Sequence, residues 1–126
     1  MATVTPARVE TPLDGPGLQI WKWAAVNDGD ACLPIPVGNF ADKTVFFVSN
    51  GAFGGNMALV GSPQADVAAE ASRRYVTMSD PNNNPISGIA VETAECVQQN
   101  AYFVKPTAGV GVTAVDVYLV LSSPRG

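Results

Sequence analysis

A chain of 126 residues fits one domain of ordinary size and leaves no room for two. It is 47% hydrophobic and 14% charged, where about 25% charged is usual for a soluble domain, and its net charge is −4. Seven Lys/Arg argue against a nucleic-acid groove, and with no histidine the chain alone builds no Ser-His-Asp, Cys-His or His-metal site.

Twelve glycines and ten prolines are too many for a helical protein, and 17 valines against 6 leucines suit pleated strands. Residues 1–17 carry Pro6, Pro12, Pro16, Gly15 and Gly17 with no sustained period. They read as an extended arm ahead of a single domain over 18–126. Stretched out, 17 residues span about 55 Å, enough to cross a neighbouring subunit. Val4, Val9 and Leu13 are the apolar positions through which such an arm would clasp a neighbour by strand addition. The arm has no apolar stretch of signal-peptide type, and no run approaches the ~20 residues of a membrane-spanning helix. A protein made in a cytoplasm and not bound to a membrane is expected.

Short strands separated by turn chemistry follow. The first is 18–25, closed by Asn27-Asp28-Gly29-Asp30; residues 31–37 contain Pro34 and Pro36 and suit an edge strand. Residues 43–49 form the strongest strand, ended by Asn50-Gly51 with Gly54-Gly55 close behind, and 56–61 the next. Residues 62–73 are an Ala-rich loop insertion with room for one helical turn, and 74–79 run into the reversal Asp80-Pro81-Asn82-Asn83-Asn84-Pro85. Segments 86–91, 101–105 and 112–122 complete seven or eight strands, with a helical turn expected within 93–100. The pattern predicts an all-β protein: an antiparallel sandwich, jelly roll or small barrel, which share these signals.

Alternation within the strands sorts residues by face. In the last strand Val115, Val117, Leu119 and Leu121 share one face, while Asp116, Tyr118 and Val120 share the other. Residues 43–49 are apolar both ways, with Val45 and Phe47 opposed to Phe46 and Val48. In the first strand Trp21 and Trp23 oppose Leu18 and Ile20. An antiparallel sheet in a monomer keeps one face polar, so these strands need a loop or another subunit over the second face. Trp21, Trp23, Phe46 and Val48 are the candidates for it.

Several motifs reduce to structure. Gly109-Val110-Gly111 opens a strand instead of the helix that a dinucleotide fingerprint requires. Asn27-Asp28-Gly29-Asp30 lacks the following ligands of a calcium loop and reads as a turn. Cys32 and Cys96 have no metal or redox spacing and read as buried thiols, or as a disulfide if the fold brings them together, and Arg73-Arg74 reads as an exposed, solvated pair. Trp21 and Trp23 on one strand face admit a sugar-stacking platform, although paired aromatics more often pack in a core or interface. No catalytic residue, cofactor or metal ligand is marked.

Phe40-Ala41-Asp42-Lys43-Thr44-Val45, Met78-Ser79-Asp80-Pro81-Asn82-Asn83-Asn84-Pro85 and Tyr102-Phe103-Val104-Lys105-Pro106 occur in that order. A Gly/Thr-rich turn and a closing strand at 115–121 follow. This order resembles a family of small virion structural proteins of tailed bacteriophages, taken as capsid decoration or cement proteins. The chain departs from that family in its Ala-rich insertion, and in Lys43 and Lys105 where arginine is often found. The resemblance implies a non-enzymatic β-sandwich that binds the major capsid protein on the capsid exterior and stabilises seams between capsomers. A homo-oligomer, trimer or dimer, is expected. The alternatives are a head or tail accessory protein that binds host glycans, and a head–tail joining or tail component.

Overall fold

The computed structural model describes residues 2–10 and 17–122. Its eleven strands are β1 (Thr3–Val4), β2 (Ala7–Arg8), β3 (Leu18–Val26), β4 (Ala31–Cys32), β5 (Ile35–Pro36), β6 (Asp42–Val48), β7 (Met57–Ser62), β8 (Val76–Thr77), β9 (Thr93–Val97), β10 (Phe103–Ala108) and β11 (Val115–Ser122). Two antiparallel sheets, ordered β2-β3-β11-β6-β9 and β5-β10-β7-β8, face each other, and β1 pairs with β4 in parallel. The protein is all-β and its sheets do not close into a barrel.

The core follows the expected alternation. Val115, Val117, Leu119 and Leu121 of β11 are fully buried, as are Val45 and Phe47 of β6. Opposite them the four-stranded sheet supplies Ile35, Met57, Leu59 and Val104. Trp23 joins this core with no exposed surface, and its indole nitrogen donates to the Leu33 carbonyl at 2.7 Å. That hydrogen bond satisfies the one polar atom that burying a tryptophan side chain puts at risk.

The turns are held by their own side chains. Asp30 accepts from the backbone nitrogens of Ala2 and Asn27, Asp28 accepts from Gly111, and Asn27 Oδ1 accepts from Ala114. The Asn-Asp-Gly-Asp segment thus ties the arm and the turn before β11 to one point. Asp80 takes the amides of Asn82 and Asn84, which closes its reversal with Asn83 at φ 64°. The turn glycines also let two loops meet at backbone distance. A Cβ on Gly55 would lie 2.3 Å from the Val110 carbonyl oxygen, and one on Gly54 2.5 Å from that of Gly111.

Five expectations need correction. Residues 2–10 of the arm do not project: β1 and β2 pair with β4 and β3 of the same chain, because Ala2, Val4 and Ile20 offer carbonyls to Ala31, Leu33 and Val9. Residues 93–100 begin with a strand, β9, since β6 offers it a full antiparallel edge. Residues 86–91 make only an isolated bridge at Ile89, and Cys96 is exposed on β9 while Cys32 is buried. The strand count rises to eleven because the proline-broken stretches still pair over two residues each. The insertion contains one 3-10 turn, Glu70–Ser72.

Gly55→Ala should lower stability by about 2 kcal/mol or more, since the clash is with backbone and neither loop can yield cheaply. Gly51→Ala, with nothing near its Cβ but a φ of 105°, should cost about 1 kcal/mol. Urea denaturation of the two variants checks the difference.

Candidate functional site

The two outer faces of the sandwich are treated differently. On the four-stranded sheet Phe103 and Lys105 of β10 and Val60 of β7 point outward. The insertion folds over them. Arg73 lies 3.7 Å from the Phe103 ring centroid, and Lys105 Nζ lies 4.2 Å from that of Tyr75. Glu70 joins them, accepting from Arg73, from the Tyr75 hydroxyl at 2.8 Å and from Lys105 at 2.8 Å. Arg73 also donates to the Val67 carbonyl at 2.6 Å. Arg73 is therefore not the solvated residue expected: its side chain is 7% exposed, because the ring and the carboxylate together offset its desolvation. Arg74 is exposed.

Burial raises the Glu70 carboxyl, but the hydrogen bonds from Lys105 and Tyr75 and the adjacent positive charges outweigh it and hold it below its usual value. Burial, aided by the bond to Glu70, pushes the Tyr75 phenol up to about 12. A depressed carboxyl contributes stability above its unfolded pKa and loses it as pH falls through the folded one. Glu70→Gln should therefore melt below wild type at pH 7, and the two melting temperatures should converge in acid.

On the five-stranded sheet no described segment covers the outer face. Its register sets Lys22, Tyr118, Phe46 and Ala94 in one row across β3, β11, β6 and β9. Ile20, Val120, Thr44 and Cys96 form the next. Phe46 and Val48 are 38% and 36% exposed, less than Val76, Val91, Tyr102 and Val110 elsewhere, but they are neighbours on one strand face. A Lys22–Asp116 ion pair of 3.8 Å, with the Lys22 ammonium 5.2 Å from the Tyr118 ring, supplies charge at one end.

The predicted second face is thus partly in place. Phe46 and Val48 lie on it; Trp21 and Trp23 do not. Trp21 is opposite Leu119 and Trp23 opposite Val117, which puts both indoles on the core side. The error is one of sidedness: strand alternation groups residues without saying which group faces inward. Val4 packs against the core and Val9 donates to Ile20, so both serve the chain itself, and Leu13 lies outside the described residues. Sequence reasoning set Tyr118 and Val120 on the face opposite the buried row, as observed, but named neither them nor Ile20 as contact candidates. The apolar alternation of both strands was the available signal.

Trp21 instead lines a cavity of about 320 Å³ where β3 and β5 approach, with Gln19, Pro36, Gly38, Asn39, Phe40 and Tyr102. The indole nitrogen donates to Gln19 Oε1 at 3.1 Å. A Cβ on Gly38 would come within 3.1 Å of the Tyr102 ring, so glycine lets that ring lie against the backbone.

Lys43 is the other side chain that sequence reasoning passed over. It is on the core face opposite Leu121, 2% exposed, and its ammonium has no hydrogen-bond partner. Burial lowers its pKa against the opposing pull of Asp42. A lysine with a lowered folded pKa binds fewer protons folded than unfolded, so stability rises with pH between the two values. Lys43→Met should stabilise the protein by about 1–3 kcal/mol at pH 7, with the gain shrinking in alkali, as melting curves across pH will read.

Among the described residues no three metal-ligating side chains cluster, and no helix is long and apolar enough to cross a membrane. No family model matches the chain, and no curated protein does. The crystal structure of YomS, a protein derived from the SPBc2 prophage, aligns with a TM-score of 0.58 at 10% identity, over 84% of this chain and 95% of that one. The two share a fold. A cleaved adhesin domain of Lys-gingipain from Porphyromonas gingivalis aligns over 94% of this chain and 90% of that one at 11% identity, with a TM-score of 0.37, too low to carry an argument.

Proposed function

We propose that the chain is a non-enzymatic phage virion protein that binds the outside of the capsid and stabilises capsomer seams as a decoration or cement protein. The observation that carries this reading is the unequal treatment of the two outer faces. The chain spends its own insertion on one and leaves the other, with Phe46, Val48, Ile20 and Val120, to be covered by something else. Support comes from the fold shared with a prophage-derived protein and from the ordered motifs along the body.

The partner is the major capsid protein, and the protein is made in the host cytoplasm before it joins the shell. Covering a fully exposed large apolar side chain yields about 1.5–3 kcal/mol, and covering the remaining exposed third of Phe46 or Val48 roughly a third of that, so the seam contact must extend over the whole face. The protein acts as a homo-oligomer, trimer or dimer, with residues 2–10 kept on their own chain.

Co-sedimentation with pre-formed empty capsids tests the reading: the protein should pellet with the shells, and a protein left in the supernatant overturns it. Phe46→Glu should weaken binding at least about tenfold, a loss of ~1.4 kcal/mol, without changing the circular dichroism.

A further inference from the structure

We propose that the cavity beside Trp21 is a binding site for one uncharged hexopyranose ring. It lies on the core side of β3, on the face opposite to Phe46 and Val48, so it is separate from the surface assigned to the capsid. Its volume of about 320 Å³ is at the small end of ligand cavities, which run from ~300 to 1,000 Å³, and suits one ring better than an extended chain.

The lining chemistry selects the ligand class. Trp21, Phe40 and Tyr102 supply aromatic surface, and Gln19 and Asn39 supply amides. A pyranose needs this combination, because its ring presents C–H groups on its faces and hydroxyls around its rim. The Trp21 indole nitrogen is already engaged with Gln19 Oε1, so the tryptophan offers apolar surface alone. The same bond fixes the Gln19 amide, leaving its nitrogen as a donor of two hydrogens to a hydroxyl. Tyr102, 43% exposed, is set by Gly38 and by edge contact with Phe103 at 4.8 Å between centroids. An adaptable wall is thereby replaced by a preorganised one.

Other classes fit less well. No charged side chain is among the described lining residues, which argues against a phosphate or a carboxylate ligand. A lipid tail would leave both amides without partners. A proline-rich peptide uses an aromatic groove with donors along its length, whereas this cavity is compact and its indole donor is spent.

The two tryptophans make the test direct. Trp23 is fully buried, so a ligand-dependent change in indole emission reports on Trp21. The full chain is titrated with the methyl glycosides of glucose, galactose, mannose and N-acetylglucosamine up to about 50 mM, a range that covers the weak affinities of single-ring ligands. At least one should give a saturable emission change and saturation transfer to its ring protons. Tyr102→Ala and Asn39→Ala, both at exposed positions, should weaken that response at least tenfold with unchanged circular dichroism. Silence with all four glycosides overturns the proposal. So does an equal response in both variants, or a response to an oligoproline peptide in place of the sugars. Capsid co-sedimentation of the same variants should be unaffected, which separates failure of this site from failure of the capsid reading.

Discussion

The closing strand holds the molecule together through its position between β3 and β6. Its inward row of Val115, Val117, Leu119 and Leu121 is fully buried, and both neighbours take their register from it. Where that register slips, between Val115 and Val117, the irregularity is repaired by side chains. Asp116 accepts the amide of Ala25, which stands at φ 52°, and Asn27 accepts that of Ala114 at φ 49°. Two non-glycine residues in the left-handed region are tolerated because each has a dedicated hydrogen-bond partner. The Asn-Asp-Gly-Asp turn is thus a clamp between the ends of β3 and β11.

From that frame the two faces of the sandwich diverge. The four-stranded sheet is roofed by its own chain, with Glu70 as the hub of a network of three donors from Arg73, Tyr75 and Lys105. Among the described residues the five-stranded sheet has no such roof, and its outward rows are framed by an ion pair at one end.

Much of the fold was legible because it rests on period-two alternation and turn residues. The inward rows of β6 and β11 and the turns at Asn27, Asn50 and Asp80 follow directly from sequence. What was not legible depends on contacts distant along the chain. Residues 93–97 have no strong strand pattern and become β9 only because β6 presents an open edge. Arg73 looks like a surface residue until β10 places Phe103 beneath it. The tryptophans were grouped correctly with each other and assigned to the wrong side, since only the pairing with β11 fixes which side is inward. The cavity joins residues from β3, β5, the loop after β5 and the approach to β10, a constellation with no local signature.

The central place of β11 also sets the order in which the protein can form. The bond from Ala25 to Asp116 closes a separation of 91 positions, and β11 is the last of the described strands. Neither β3 nor β6 can find its main partner while the chain between them is still being made. Hairpins such as β7 with β8 are available early, but the five-stranded sheet must wait for a long-range encounter. Topologies of this kind fold in milliseconds to seconds, not microseconds. During that interval the apolar rows of β3 and β6 are exposed together, an opening for aggregation that ends only when β11 covers them.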